Sequence, residues 1–168
     1  MEFEENLKRL LLQKRLIDLE IEKLITENYP GGIRFSSKKF VGDLGELYFY
    51  QQAKIFWELT QSQTSNNEHD FSGLLLPEFQ ELFELDNPLV RVEIKTRHAQ
   101  IGNNHLRGID IQKSDLVAFV ALDNDFQCRH IGIIKSSDIT VDRQNRIRYS
   151  DYYKRGLVRW ETNQWVEL

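Results

Sequence analysis

Apolar residues recur along the chain with two periods, and the period distinguishes helices from strands. Between residues 3 and 28 they recur at alternating steps of four and three, which predicts an amphipathic helix with a heptad-like seam. The apolar seam positions are Phe3, Leu7, Leu10, Ile17, Ile21 and Leu24, and the seam position between Leu10 and Ile17 is taken by Lys14. A second apolar row contains Leu12, Leu16 and Leu19. This helix is therefore expected either to pack on the rest of the domain or to pair with another chain.

A second helix is predicted to start at Ser36 or Ser37 and to run to about Gln52, after the break Tyr29-Pro30-Gly31-Gly32. Either serine can accept a hydrogen bond from the first amide groups of a helix. One stripe of this helix is apolar and contains Phe40, Leu44, Leu47 and Tyr48. Glu46 lies away from the centre of that stripe, so it is expected at the edge of the helix.

The later apolar segments have the period of strands. In residues 89–97, LVRVEIKTR, alternation sends Val90, Val92 and Ile94 towards a core. Arg91, Glu93 and Lys95 then share the opposite face. Further strands are predicted in KIFWELT, LVAFVAL and RHIGIIK, with one or two more near the end of the chain. The pattern indicates an α/β fold in which a mixed central β-sheet is flanked by helices.

Composition limits the chain to a single compact domain. It has 168 residues, of which 40% are hydrophobic and 29% charged. We expect an N-terminal amphipathic helix over residues 1–29 and an α/β domain over residues 30–168. The start has no uninterrupted apolar block, which argues against a signal peptide or a membrane span and favours the cytoplasm. The single cysteine, Cys128, excludes an internal disulfide and a Cys₂His₂ zinc site.

Four residues in the middle of the chain have the side chains that phosphodiester hydrolysis requires. They are Glu46 in the second predicted helix, Asp70 at the head of an apolar run, and Glu93 and Lys95 on one face of a strand. If a neighbouring strand brings Asp70 to Glu93, their oxygen atoms favour Mg²⁺ over Zn²⁺. Lys95 would then orient a water, help to deprotonate it, or neutralise charge on the phosphoryl group.

The order of these residues resembles the PD-(D/E)XK, or restriction-endonuclease-like, nuclease superfamily. Its pattern is an acidic residue in the first core helix, another that opens a strand, and (Asp/Glu)-X-Lys on the adjacent strand. Glu46, Asp70 and residues 93–95 match this order. Two departures are His69, where the family name has proline, and the long segment LLLPEFQELFELDNP between Asp70 and Glu93. That segment predicts a hairpin or an insertion.

The resemblance implies a restriction-endonuclease-like core and a metal-dependent endodeoxyribonuclease, of the site-specific restriction or homing type. It implies that Asp70, Glu93 and Glu46 bind Mg²⁺, with Mn²⁺ as a substitute, and that Lys95 is catalytic. Because cutting both strands needs two sites, it also implies a homodimer or higher homo-oligomer. The alternatives are a noncatalytic DNA-binding or assembly protein on the same scaffold, and a structure-selective DNA nuclease.

The net charge of −4 argues against a general nucleic-acid coat, so DNA contacts are expected on one local basic face. The candidates for this face are Lys38, Lys39, Arg97, His98, Asn104, His105, Arg107 and Gln112, together with the group Arg143, Arg146 and Arg148. Trp160 and Trp165 are expected either to stack on bases or to close the edge of the core.

Overall fold

The computed structural model describes residues 2–28, 40–54, 57–58, 70–98, 105–107, 109–144, 146–152, 155–156, 158–161 and 164–167. Its helices are α1 (Glu2–Asn28), α2 (Phe40–Ala53), α3 (Pro77–Leu82) and α4 (Tyr149–Tyr152). Its strands are β1 (Trp57–Glu58), β2 (Phe71–Leu75), β3 (Leu89–His98), β4 (His105–Arg107), β5 (Leu116–Leu122), β6 (Cys128–Lys135), β7 (Arg146–Arg148), β8 (Val158–Glu161) and β9 (Gln164–Glu167).

The strands form a central sheet of seven strands in the order β1-β2-β3-β5-β6-β8-β9. Strands β3 and β5 are parallel, whereas the other neighbouring pairs in this sheet are antiparallel. Strands β4 and β7 pair in a separate two-stranded antiparallel sheet. The mixed sheet and its flanking helices confirm the predicted α/β fold class.

Helix α2 packs on one face of the central sheet. Its buried residues Phe49 and Ala53 join Val92 and Ile94 in a shared apolar core. An ideal Cβ on Gly45 would lie 1.8 Å from Oγ1 of Thr96, so the helix approaches β3 more closely than a larger residue permits. The predicted start at Ser36 or Ser37 lies outside the described residues.

A second apolar cluster covers the opposite face of the sheet. Val117, Phe119 and Ile134 project from β5 and β6 into this cluster. They are covered by Ile109, Ile139, Ile147, Tyr149 and Tyr152. Phe119 meets the Tyr149 ring edge-on, with the ring centroids 5.7 Å apart. The central sheet is therefore buried on both faces, as expected where strands are nearly continuous apolar runs.

The long segment before β3 is a hairpin that carries an inserted helix. Strands β2 and β3 are antiparallel neighbours, and α3 lies between them in the chain. The amide of Leu75 donates to the carbonyl of Pro88 across the base of the excursion at 2.9 Å. Phe83, just after α3, is fully buried in the core. The predicted hairpin is therefore present, and it carries a short helix.

Helix α1 differs from the other long helix because its apolar residues remain exposed. They include Leu10, Leu12, Leu16, Ile17, Leu19 and Leu24. The helix itself was predicted from the period of its apolar residues. The described part of the chain does not cover the apolar surface that these residues form. Within the described ranges, no helix is both long enough and apolar enough to cross a membrane.

Of the two tryptophans near the end of the chain, Trp160 has a described side chain. Trp160 on β8 is buried in the core with Ile131 and Val158, which agrees with the expectation that it closes the core edge. The side chain of Trp165 lies outside the described atoms. Cys128 begins β6 and is a free, buried thiol.

Candidate active site

Alternation along β3 separates packing residues from charged ones. Val90, Val92 and Ile94 are buried in the core beneath α2. Glu93 and Lys95 therefore project from the other face, where their parallel partners on β5 are Val117 and Phe119. These partners belong to the second apolar cluster, so the acid and the lysine lie beside that cluster.

Asp70 is fixed beside this strand by the backbone of β3. Its amide donates to the carbonyl of Val92 at 3.0 Å, and its Oδ2 accepts the amide hydrogen of Ile94 at 2.6 Å. The β2–β3 ladder ends where Phe71 pairs with Val92, and Asp70 directly precedes that pair. Its carboxylate is close enough to Glu93 for its charge to raise the pKa of Glu93.

Glu93 and Lys95 form an ion pair on this surface. The Lys95 Nζ donates to Glu93 Oε1, and the two side chains are only 18% and 13% exposed, respectively. Burial raises the pKa of the Glu93 carboxyl, and the negative charge of Asp70 raises it further, while Lys95 lowers it. The pKa of Glu93 is raised overall because burial, together with the charge of Asp70, outweighs the opposing effect of Lys95.

The donor atoms fit a hard divalent cation. Asp70 and Glu93 offer carboxylate oxygens, and Mg²⁺ commonly binds one or two protein carboxylates and keeps several waters. Among the described residues, no group of three or more His, Cys, Asp or Glu side chains is arranged to hold a metal. A site at Asp70 and Glu93 would therefore rely on two carboxylates, with water completing the coordination.

The role of Glu46 as the third acidic residue of the candidate site stays a prediction. It is half-buried on α2, directly after the Gly45 that contacts Thr96. Thr96 lies two residues beyond Ile94, on the core-facing side of β3. The helix therefore approaches β3 from the face opposite Glu93 and Lys95.

Asp110 is an acidic neighbour that the sequence did not reveal. Its negative charge contributes to the raised pKa of Glu93. Its Oδ1 accepts the amide hydrogen of Gln112 at 3.1 Å, and its Oδ2 lies 3.6 Å from Lys113 Nζ. The only sequence signal for it was its place in the polar segment before β5, because no local period relates residue 110 to residue 93.

The residues predicted to contact DNA lie in different parts of the chain, and several are outside the described residues or atoms. Arg97 is on the charged face of β3, with its guanidinium 5.7 Å above the Tyr149 ring, and Gln112 is exposed in a turn beside Asp110. Lys38, Lys39 and Asn104 lie outside the described residues. His105 and Arg107 belong to β4, but their side chains are outside the described atoms.

His98 requires a correction. It is the last residue of β3 and is only 3% exposed, and its ring centroid lies 4.3 Å from that of Phe126. The strand continues further than expected, and its alternation puts residue 98 on the same side as Ile94. His98 is therefore a packed aromatic residue rather than one presented to DNA.

Comparison with known proteins gives a distant likeness among solved structures. No protein-family model matches the sequence, and no curated protein matches it. Among solved structures, the bacterial homing endonuclease I-Ssp6803I is similar, with 14% sequence identity and a TM-score of 0.40. The match covers 71% of this chain and 90% of that chain. Identity at this level transfers no residue roles, so the roles proposed below depend on the side chains of this chain.

Proposed function

We propose that this protein is a metal-dependent endonuclease that hydrolyses DNA phosphodiester bonds. The observation that carries the proposal is the proximity of Asp70, Glu93 and Lys95 along β3. The pKa of Glu93 is raised by burial and by Asp70, and raised values of this origin are frequent where carboxylates share a functional site. A bound cation would relieve this repulsion.

Each residue has a distinct task in the proposed reaction. Asp70 and Glu93 would hold Mg²⁺ or Mn²⁺, and Glu46 would assist at the strand edge. When bound, the ion supplies a Lewis acid for the phosphoryl oxygen and acidifies a water. The amide of Ile94 fixes the orientation of the Asp70 carboxylate. The Lys95 ammonium would donate hydrogen bonds to the attacking water or to the phosphoryl oxygens as their negative charge grows.

The position of the site favours a large substrate. A cavity of about 440 Å³ lies at the start of β3, between residues such as Leu85, Leu89 and Asp115, and none of the three site residues lines it. Small molecules are usually bound in concave cavities. A set of charged groups beside a sheet suits a polymer that lies across the surface. We propose duplex DNA, cut at specific sites as by restriction or homing enzymes.

Cutting both strands of a duplex also requires two sites, so we propose a homodimer or a higher homo-oligomer. The exposed leucines of α1, among them Leu10 and Leu24, support this because a helix with an uncovered apolar seam gains stability by pairing. We propose the cytoplasm as its location, where the Cys128 thiol would stay reduced.

The decisive test is cleavage of mixed-sequence plasmid and phage DNA with Mg²⁺, compared with EDTA. Lys95→Ala should reduce the cleavage rate at least about a hundredfold, because it removes a group that acts in the transition state. Lys135→Ala is a matched control, since Lys135 is also largely buried (19% exposed) and also pairs with one glutamate, Glu84. It should cleave at the wild-type rate.

Two results would count against the nuclease proposal. One is a Lys95→Ala variant that cuts as fast as the wild type. The other is a folded wild-type protein that cuts none of the DNA forms and binds no Mg²⁺, which would favour the alternative of a noncatalytic binding or assembly protein. Cleavage confined to branched or single-stranded DNA would instead identify a structure-selective nuclease.

A further inference from the structure

The small sheet of β4 and β7 has two chemically different faces. Leu106 pairs with Ile147, and both pack in the second apolar cluster. The flanking pairs are His105 with Arg148 and Arg107 with Arg146. Directly paired residues share a side of an antiparallel sheet, and successive residues alternate. Positions 105, 107, 146 and 148 therefore lie on the side that faces away from the apolar cluster.

This outward side concentrates positive charge in a protein whose net charge is −4. Its four positions carry three arginines and one histidine, and we call residues 105–107 and 146–148 the basic ribbon. Arg148 is exposed. Arg146 is held by Asp142, with Nε 2.9 Å from Oδ2, and this ion pair fixes the turn that leads into β7.

The basic ribbon is continuous with the candidate active site. Tyr149 follows Arg148 directly, and the Arg97 guanidinium lies 5.7 Å above its ring. Arg97 is two residues beyond Lys95 on β3, a separation of roughly 7 Å along a strand. Phe119, the strand partner of Lys95, also contacts Tyr149. A ligand that spans from Lys95 past Arg97 would therefore reach the ribbon.

We propose that the basic ribbon enters the major groove of duplex DNA and holds the duplex across the site. This rests on the proposed nuclease function. The major groove of B-form DNA is about 12 Å wide and admits a two-stranded β-ribbon. Arginine there can donate two hydrogen bonds to guanine O6 and N7. Duplex RNA has a major groove too narrow for side chains to read, so the ribbon selects DNA.

The test measures binding of a mixed-sequence 30-base-pair DNA duplex by fluorescence anisotropy. The full chain carries Lys95→Ala throughout, so that no cutting occurs, and the same RNA duplex is measured in parallel. Adding Arg148→Ala should weaken DNA binding about fivefold or more and reduce the slope of log Kd against log salt concentration by about one. Arg9→Ala, which removes an exposed arginine from α1, should change Kd less than about twofold.

Two further measurements locate the contact in the groove. A duplex whose cytosines carry glucosylated hydroxymethyl groups has its major groove filled, and it should bind about tenfold more weakly, whereas the minor-groove ligand netropsin should not compete. Arg148→Lys keeps the charge without the two-pronged donor. It should retain the salt slope, and thermal melting would show that it and Arg148→Ala fold normally.

The outcomes separate this inference from the nuclease proposal. If Arg148→Ala and Arg107→Ala bind like the Arg9→Ala control, or if the glucosylated duplex binds normally, the inference is overturned even where the wild-type protein cuts DNA. If binding depends on the ribbon and on an open major groove but the wild-type protein does not cut, the inference stands and the nuclease proposal fails. Equal affinity for RNA and DNA duplexes would also overturn it.

Discussion

The two faces of β3 place packed apolar residues and charged residues at alternate positions of one strand. Beneath α2, Val92 and Ile94 are buried in a close-packed core where Thr96 meets Gly45. On the other face, Glu93 and Lys95 form an ion pair beside Asp70. The packed face is sensitive to volume, because the core has no room for an added atom. The charged face is sensitive to charge, because the Asp70 carboxylate raises the pKa of Glu93.

The largest effect on the packing between α2 and β3 is expected from a single methyl group added at Gly45. Gly45→Ala should lower the free energy of unfolding by about 3 kcal/mol, because its Cβ would lie 1.8 Å from Oγ1 of Thr96. The measurement is urea unfolding followed by circular dichroism.

Gly42→Ala is the matched control in the same helix. An added Cβ at Gly42 would meet nothing within 4 Å. This variant should therefore gain about 0.5–1 kcal/mol from the higher helix propensity of alanine. If the two variants had equal stability, the close contact between α2 and β3 would be refuted.

Substitutions at the adjacent residues Ile94 and Lys95 compare the two faces of β3 directly. Ile94→Ala should cost about 2–4 kcal/mol of stability, because it leaves a cavity in the core. Its backbone amide still donates to Asp70, so DNA cleavage per folded molecule should persist at low temperature. Lys95→Ala should show the reverse, with stability close to the wild type and little cleavage.

Calorimetry measures the stability of these two variants, and the plasmid assay measures their rate of DNA cleavage. The division of tasks between the faces would be contradicted if Ile94→Ala abolished cleavage in protein that remained folded. It would equally be contradicted if Lys95→Ala unfolded the domain.

The smallest expected effect on stability concerns the charged face and pH. The pKa of Glu93 is raised by burial and by Asp70 above its ordinary value of 4.5. The folded state therefore holds the Glu93 proton more tightly than the unfolded state does. The stabilisation from this tighter proton binding is fully present at pH values below the pKa of Glu93 in the unfolded state. It is lost as the pH rises through the pKa of Glu93 in the folded state. In the proposed reaction Glu93 must be ionised to bind the metal, so cleavage should decline on acidification before an ordinary glutamate would titrate.

Asp70→Asn isolates this interaction. An asparagine oxygen can still accept the Ile94 amide hydrogen, but the negative charge is gone. The Glu93 pKa should fall relative to the wild type, as followed by carbon-13 NMR of its carboxyl group during titration. Glu81→Gln, an exposed change on α3, is the control and should leave that pKa unchanged. An unaltered Glu93 pKa in Asp70→Asn would disprove the coupling.

Local periods predicted much of the fold. The alternation of Val90, Val92 and Ile94 correctly separated the faces of β3, and the apolar steps of α1 predicted its helix. The same alternation, carried to residue 98, would have placed His98 on the packed face. The error arose because the strand was expected to end near Arg97, and strand ends depend on pairing partners, which the local sequence does not specify.

The remaining features join segments that are distant in sequence. The contact of Gly45 with Thr96, the charge of Asp110 near Glu93, and the pairing of β4 with β7 have no local signal. Likewise, the period of α1 indicates which residues form a stripe, but not what covers it. Such features follow from tertiary packing, which a single sequence does not reveal through its propensities.

The hydrogen bond from Ile94 to Asp70 also has a consequence for the order of assembly. It belongs to the β2–β3 hairpin, whose strands are separated only by α3 and its turns. The hairpin can close from its base, because Leu74 and Leu89 are nearer in sequence than any β3–β5 pair and their pairing has the lower entropic cost. Asp70 and Glu93 can therefore meet within a local unit of the chain, before the sheet around them is complete.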